Sequence, residues 1–302
     1  MKSPARIGFA GLGEMGALIA QRLLAAGHEL HIYNRTNEKV RPFVAQGATQ
    51  CDSPADLARH SDVLLLCLFD EKAIESVLFG DVGVAQSAHP GLLVVDLSTT
   101  HPKFASHMSL RLNKEFGVGW VDAPVSGGPP GAAQGTLAVM AGGEEQDIER
   151  IRSIFSAFSS QVTHVGPAGC GQLAKACNQL VNFGNALAVA EAMNLAARSG
   201  LDPLVLPRAM SGAFSDSSLL RYLGPRMAEG KLQGNSLMTM KDLQIVLDVA
   251  RSSNSSVPLS SLMHALFQSL LEQGYVSDGI GGVSKFYSKV PFAEIAESLR
   301  GV

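Results

Sequence analysis

Four short runs in the first hundred residues are dominated by apolar side chains: RIGFA at Arg6–Ala10, ELHIY at Glu29–Tyr33, VLLLCL at Val63–Leu68 and LLVVDL at Leu92–Leu97. Helical periodicity fills the stretches between them. Strands that lack strict apolar–polar alternation need cover on both faces, which a parallel sheet flanked by helices provides. The pattern predicts an α/β domain with a doubly wound sheet. The chain is longer than one hydrophobic core usually extends, so its 302 residues predict a second domain.

The first run passes into GLGEMG, which places Gly11, Gly13 and Gly16 between a strand and a helix that ends near Gly27. Glycines at this spacing allow a tight turn and close backbone approach, and the helix N-terminus then faces a pyrophosphate. Leu12, Glu14 and Met15 lie between those glycines and complete the candidate dinucleotide loop. A glycine turn that serves only the chain's own geometry is the alternative.

The end of the second run selects the cofactor. An NAD site usually carries Asp or Glu there to hold the ribose hydroxyls. This chain has Asn34, Arg35 and Thr36. Asn34 brings no carboxylate to repel a 2′-phosphate, Arg35 offers a guanidinium fork, and Thr36 adds a hydroxyl. NADP(H) is the expected cofactor. Alternatively Arg35 stacks on adenine as a solvated charge, and NAD(H) is accepted as well.

Ligands of a doubly wound sheet bind at the carboxyl ends of its strands. Leu68 and Phe69 follow the third run and Ser98 and Thr99 the fourth, so Leu68 and Thr99 are candidate nicotinamide contacts. Ser98 and Thr99 can equally cap a helix that begins near Pro102. Further on, WVDAPV runs into Ser126, Gly127 and Gly128, then two prolines, then a second strand, TLAVMAGG. The Ser-Gly-Gly turn exposes a hydroxyl and backbone N–H groups that suit a small carboxylate. An ordinary long hairpin loop has the same composition.

The segment from Gly171 to Arg198 reads as one helix, about 45 Å long if it spans some 30 residues. Lys175 stands near its start, and no other charge appears until Glu191. Asn178, Gln179 and Asn182 follow on the same face, with Leu173, Ala176, Leu180, Val181, Leu187, Val189 and Ala190 expected to supply apolar cover. A buried ammonium is costly. It can line a cleft and exchange a proton with a carbonyl oxygen, or it can snorkel from the helix end beside ordinary amide hydrogen bonds.

Taken together, GLGEMG, DLSTTHP (Asp96–Pro102), DAPVSGG (Asp122–Gly128), GQLAKACNQ (Gly171–Gln179) and MKDL (Met240–Leu243) resemble the β-hydroxyacid dehydrogenases over nearly the whole chain. That group contains 3-hydroxyisobutyrate dehydrogenase, tartronate semialdehyde reductase and the glyoxylate/succinic semialdehyde reductases. The resemblance implies a Rossmann-type N-terminal domain over residues 1–165, an all-α C-terminal domain over residues 166–302, and a long helix as connector. It implies Lys175 as general acid/base, with Ser126, Gly127 and Gly128 on the substrate carboxylate and Asn178 beside them. Thr99 and Lys241 would contact the cofactor, and Asp242 would lie near the closed cleft. Members commonly form homodimers or homotetramers through their helical domains.

Three departures bear on which acid is bound. Gln179 stands where the family usually has a second Asn, which lengthens one substrate-side amide. Gly234-Asn235-Ser236 replaces the Pro-Gly-Phe that many members carry before MKDL, and Phe69 replaces a common proline. The reaction expected is hydride transfer between NADP(H) and a small β-hydroxy acid or semialdehyde. 6-Phosphogluconate dehydrogenase is much longer and has His beside its lysine. Imine reductases share GLGEMG and NRT but typically lack the lysine. A dehydrogenase-like fold kept only for binding would have lost it too.

The remaining composition excludes several classes. A net charge of −3 gives no general attraction to nucleic acid or anionic membrane. No apolar run reaches the roughly 18 residues of a spanning helix, and the start runs straight into glycines rather than a signal peptide. Four scattered cysteines without a CxxC pair point to a reduced, cytoplasmic setting. Eight dispersed histidines show no ligand spacing, so no metal is expected. After the long helix, Pro203–Ala213, Asp216–Glu229, Lys241–Ser252 and Pro258–Gln273 read as helices, with GYVSDGIGG (Gly274–Gly282) as a glycine-rich loop.

Overall fold

The computed structural model describes residues 5–300, so the first four residues of the chain's start and its last two lie outside the description. The chain divides between Lys175 and Ala176 into two compact units.

The N-terminal unit holds a nine-stranded sheet: β1 Ile7–Ala10, β2 Leu30–Tyr33, β3 Thr49–Gln50, β4 Val63–Leu66, β5 Leu93–Asp96, β6 Gly119–Asp122, β7 Val125–Ser126, β8 Leu137–Gly142 and β9 Ser159–Gly166. The order is β3-β2-β1-β4-β5-β6-β8-β7, with β9 also on β8. From β3 to β6 all neighbours are parallel, while β8 runs antiparallel to β6 and β7. The apolar runs are explained by two cores. Ile7, Phe9, Leu65, Leu93 and Val95 face one; Ala10, Leu64, Leu66 and Val94 face the other. Successive side chains point to opposite faces, and helices cover both.

Register places the strand ends in one row. Tyr33 pairs with Ala10, Ala10 with Leu66, Leu66 with Asp96, and Asp96 with Asp122. The loops that follow these residues therefore leave the same edge of the sheet. Chain direction across the order reverses between β1 and β4, which opens the crevice where such sheets bind ligands.

The C-terminal unit is helical. Phe183, Leu187, Ala190 and Met193, from the Cys170–Arg198 helix, form one core with Leu223, Met227, Leu243, Val246, Met263, Phe267 and Phe292. Each fully buried leucine or phenylalanine contributes about 1.5–3 kcal/mol relative to exposure. The flanking helices are Ser218–Glu229, Ser236–Ser252, Pro258–Glu272 and Phe292–Arg300. Ser217 Oγ accepts from Leu220 N at the first of them, and Asn235 Oδ1 accepts from Leu237 N at the second. No described helix is long and apolar enough to cross a membrane.

Several elements differ from expectation. The segment expected as a Gly-Pro loop contains a helix, Gly128–Gln134, because its two prolines fall in the first turn, where no N–H is needed. Asn235 caps a helix that starts at Ser236, five residues before the expected Lys241. Pro203–Ala213 breaks into two short turns, Pro203–Val205 and Leu206–Ala209. Within GYVSDGIGG a further 3-10 turn begins at Gly279. On the long helix, Leu173 and Val181 are exposed rather than part of the apolar cover.

Candidate active site

The glycine loop leaves β1 and enters the Glu14–Ala25 helix. Gly11 has φ +104, and a Cβ there would stand 2.3 Å from Cys67 O, so the backbone just after β4 leaves no room for a side chain. A Cβ at Gly16 would stand 2.0 Å from Gly11 O. Gly13 differs: the position of its Cβ faces open space, and Gly13 and Glu14 are exposed at the helix N-terminus. Two glycines thus compress the turn and the third leaves an accessible row of amides, which fits an incoming pyrophosphate. Leu12 is buried and Met15 half-buried in the core beneath.

Asn34 ties the next loop to this one. Its Oδ1 accepts from Leu12 N at 2.8 Å, and its Nδ2 donates to Thr36 O at 2.9 Å. Arg35 and Thr36 stand exposed at the end of β2. Asn34, rather than a carboxylate, occupies the position after β2.

Leu68 N donates to Ser98 Oγ at 2.9 Å, which joins the loops after β4 and β5, while Phe69 is exposed. Neither Ser98 nor Thr99 caps the following helix. His101 does so, its Nδ1 accepting from Lys103 N at 3.1 Å. The Ser98–Thr100 backbone is held instead by Gln172, which is 1% exposed. Its Nε2 donates to Ser98 O at 2.8 Å and its Oε1 accepts from Thr100 N at 3.0 Å. Thr99 sits between those two contacts.

Asp122, at the end of β6, anchors the start of the long helix. Its fully buried carboxylate accepts from Gly169 N at 2.7 Å and from Gln172 N at 2.9 Å. Burial pushes this carboxyl up to about 7, against the two amides that favour its charge. Gly171 allows the approach, since a Cβ there would stand 2.4 Å from Asp122 O. Neither Gln172 nor Asp122 stood out as a site residue in the sequence. Both lie within quoted motifs, DAPVSGG and GQLAKACNQ, but neither was given a role there.

This anchoring delivers Lys175, 6% exposed, whose Nζ donates to Val125 O at 2.9 Å. Val125 directly precedes Ser126, Gly127 and Gly128. Both glycines have positive φ, +131 and +61, a backbone that L side chains rarely adopt. The lysine head is thus brought to the Ser-Gly-Gly turn: one cation, one hydroxyl and a stretch of exposed backbone.

In the C-terminal unit a second polar cluster forms. Gln179 Nε2 donates to Asp242 Oδ2 at 2.5 Å, and Asp242 Oδ1 meets Lys241 Nζ at 3.1 Å. Asn182 Nδ2 donates to Gln179 Oε1 at 3.0 Å and to Asn178 Oδ1 at 3.3 Å. The candidate residues Asn178, Gln179, Lys241 and Asp242 therefore belong to one network. Among the described residues, one histidine–cysteine cluster has the spacing to hold a metal ion, and it lies among none of these groups.

Residues 6–166 match the family model for the NAD binding domain of 6-phosphogluconate dehydrogenase, and residues 169–286 match that for the NAD-binding domain of NADP-dependent 3-hydroxyisobutyrate dehydrogenase. The mitochondrial 3-hydroxyisobutyrate dehydrogenase of Drosophila melanogaster is 32% identical, over 95% of this chain and 90% of that one. The NAD-dependent L-serine dehydrogenase of Pseudomonas aeruginosa is 34% identical, over 93% and 97%. A solved structure described as Psf3 in complex with NADP+ and 2-OPP superposes with TM-score 0.86 at 27% identity, covering 93% of this chain and 100% of that one. With both units matched and the strand-end loops built for a dinucleotide, the chain belongs to the β-hydroxyacid dehydrogenases, NAD(P)-dependent oxidoreductases of small hydroxy acids.

Proposed function

We propose that the protein is an NADP(H)-preferring dehydrogenase or reductase of a small β-hydroxy acid or its semialdehyde, with Lys175 as general acid/base. The observation that carries this reading is the 2.9 Å bond from the buried Lys175 Nζ to Val125 O, beside Ser126-Gly127-Gly128. A buried ammonium at a carboxylate-sized turn can hold an oxygen and move a proton to or from it. When bound, the nicotinamide supplies or accepts the hydride. The chain's own work is then binding and proton transfer. Ser126 Oγ and the amides of Gly127 and Gly128 hold the substrate carboxylate, and Lys175 Nζ gives its proton to the carbonyl oxygen during reduction or withdraws it during oxidation. Asn178 assists through its amide, and Gln179 and Asp242 shape the acid that fits.

Preference for NADP(H) rests on Arg35 and Thr36, exposed where no carboxylate opposes a 2′-phosphate. Residues 1–165 are proposed as the NADP-binding domain and 166–302 as the domain for substrate and self-association. Absorbance of NADPH with glyoxylate and with succinic, tartronic and methylmalonic semialdehydes, and NADH alongside, tests the proposal. Fast oxidation of NADPH with one of these acids is expected. Tight NADPH binding without turnover of any of them would overturn it.

A further inference from the structure

Eight histidines scattered along the sequence match no ligand motif, yet the fold gathers two of them around a thiol. His31 lies in β2, Cys51 follows β3 directly, and His60 follows the Pro54–Arg59 helix. One potential ligand atom from each lies within 4.8 Å of the others. Topology creates this meeting. β2 and β3 pair in parallel through His31 and Thr49, Cys51 N donates to Ile32 O at 2.9 Å, and the next helix returns His60 to the same face.

The two imidazoles stack with centroids 5.4 Å apart and planes 14° apart. His31 Nδ1 is buried and has no hydrogen-bond partner among the described residues, a costly state for a polar atom. His60 Nδ1 lies 2.9 Å from Asp56 O, the kind of outer bond that orients a ligating imidazole. Cys51 is a free thiol, 3% exposed. The Asp56 carboxylate stands 3.4 Å from His60 Nδ1 and pairs with Arg59 at 3.5 Å.

We propose that His31, Cys51 and His60 form a binding site for a zinc-class divalent cation. Two imidazole nitrogens and one thiolate are a borderline-soft donor set that suits zinc, whereas magnesium and calcium require oxygen donors. Water or the Asp56 carboxylate completes four-coordination. The ligating form of Cys51 is the thiolate, so an ion is held only as it displaces the thiol proton. Binding forms one S–metal and two N–metal bonds and releases that proton to solvent, with no change in oxidation state. The ion clips β2, the end of β3 and the following helix together.

Chelator-stripped full-length protein is titrated with Zn²⁺ against a chromogenic zinc chelator, and separately with Co²⁺ in a spectrophotometer. The expected result is one Zn²⁺ per chain and a thiolate-to-cobalt charge-transfer band. Cys51→Ser abolishes that band, and His60→Ala weakens Zn²⁺ by at least about tenfold. His60 is about half-exposed, and a metal-free thermal melt verifies that its substitution leaves the fold in place. Zinc raises the melting temperature of the wild type more than that of either variant. Equal Zn²⁺ affinity in wild type and His60→Ala, or cobalt binding without the thiolate band, would overturn the site and leave adventitious surface binding.

Discussion

Gln172 and Thr100 are 72 positions apart in sequence, yet the Oε1 of one accepts the backbone N–H of the other at 3.0 Å. The same side chain donates to Ser98 O at 2.8 Å. One buried amide therefore fixes the loop after β5 from both sides of Thr99, and Asp122 fixes the residue that carries it. The strand-end loops and the start of the lysine helix are one hydrogen-bonded construction.

Replacing Gln172 by Leu should leave Thr100 N and Ser98 O without their buried partner. Each orphaned group costs about 1–3 kcal/mol. A lower melting temperature and weaker NADP(H) binding in a fluorescence titration are both expected. A variant with wild-type affinity would show that Thr99 does not depend on this clamp.

For Lys175→Ala the expected outcome is a fall in turnover of about 10²- to 10⁴-fold, the usual range for a lost acid or base. NADPH affinity should hardly change. Because the lysine is buried on Val125 O, Lys175→Met, which keeps most of its volume, separates lost chemistry from lost packing. Turnover near wild type in both would remove the lysine from the mechanism.

Arg35→Ala isolates the phosphate reading. A charge-assisted hydrogen bond contributes about 1.5–3 kcal/mol, so NADPH should weaken roughly ten- to hundredfold. NADH should shift by no more than about twofold, as for an ordinary surface change. Parallel titrations decide, and equal weakening of both cofactors would place Arg35 on adenine instead.

Asp122 allows a test of burial against hydrogen bonding. Burial raises its carboxyl from 3.8 to about 7, so between those values the folded chain holds a proton that the unfolded chain has lost. Its contribution to stability is then complete below about 4 and lost as pH rises through about 7. Denaturant unfolding of wild type and Asp122→Asn at several pH values should show wild-type stability falling relative to the variant over that interval. No relative change over that interval would mean that the amides of Gly169 and Gln172 keep the carboxylate ionised.

Local signals carried much of this site. The turn at Gly11–Gly16 and the apolar strands were legible because their demands, tight geometry and two-sided burial, act within a few residues. Lys175 was legible as a lone charge in an apolar helix. What stayed hidden depends on distant partners: the grip of Gln172 on Ser98 and Thr100, the Asp122 anchor, and the meeting of His31 with His60. Gly128–Gln134 was hidden for another reason. Pro and Gly signal turns, but at a helix start the same prolines are well tolerated.

Gln179 joins two of these themes, since it departs from the family's usual Asn and holds Asp242 Oδ2 at 2.5 Å. Asparagine is one carbon shorter and would draw its amide away from Asp242, leaving Lys241 as that carboxylate's nearby partner. Losing a hydrogen bond to a charged group costs about 1.5–3 kcal/mol, so Gln179→Asn should melt earlier than wild type. If Gln179 also shapes the acid that fits, the ranking of kcat/KM among the four oxo acids should change while NADPH affinity stays constant. A variant with unchanged melting temperature and unchanged ranking would show that the longer amide neither braces Asp242 nor selects the substrate.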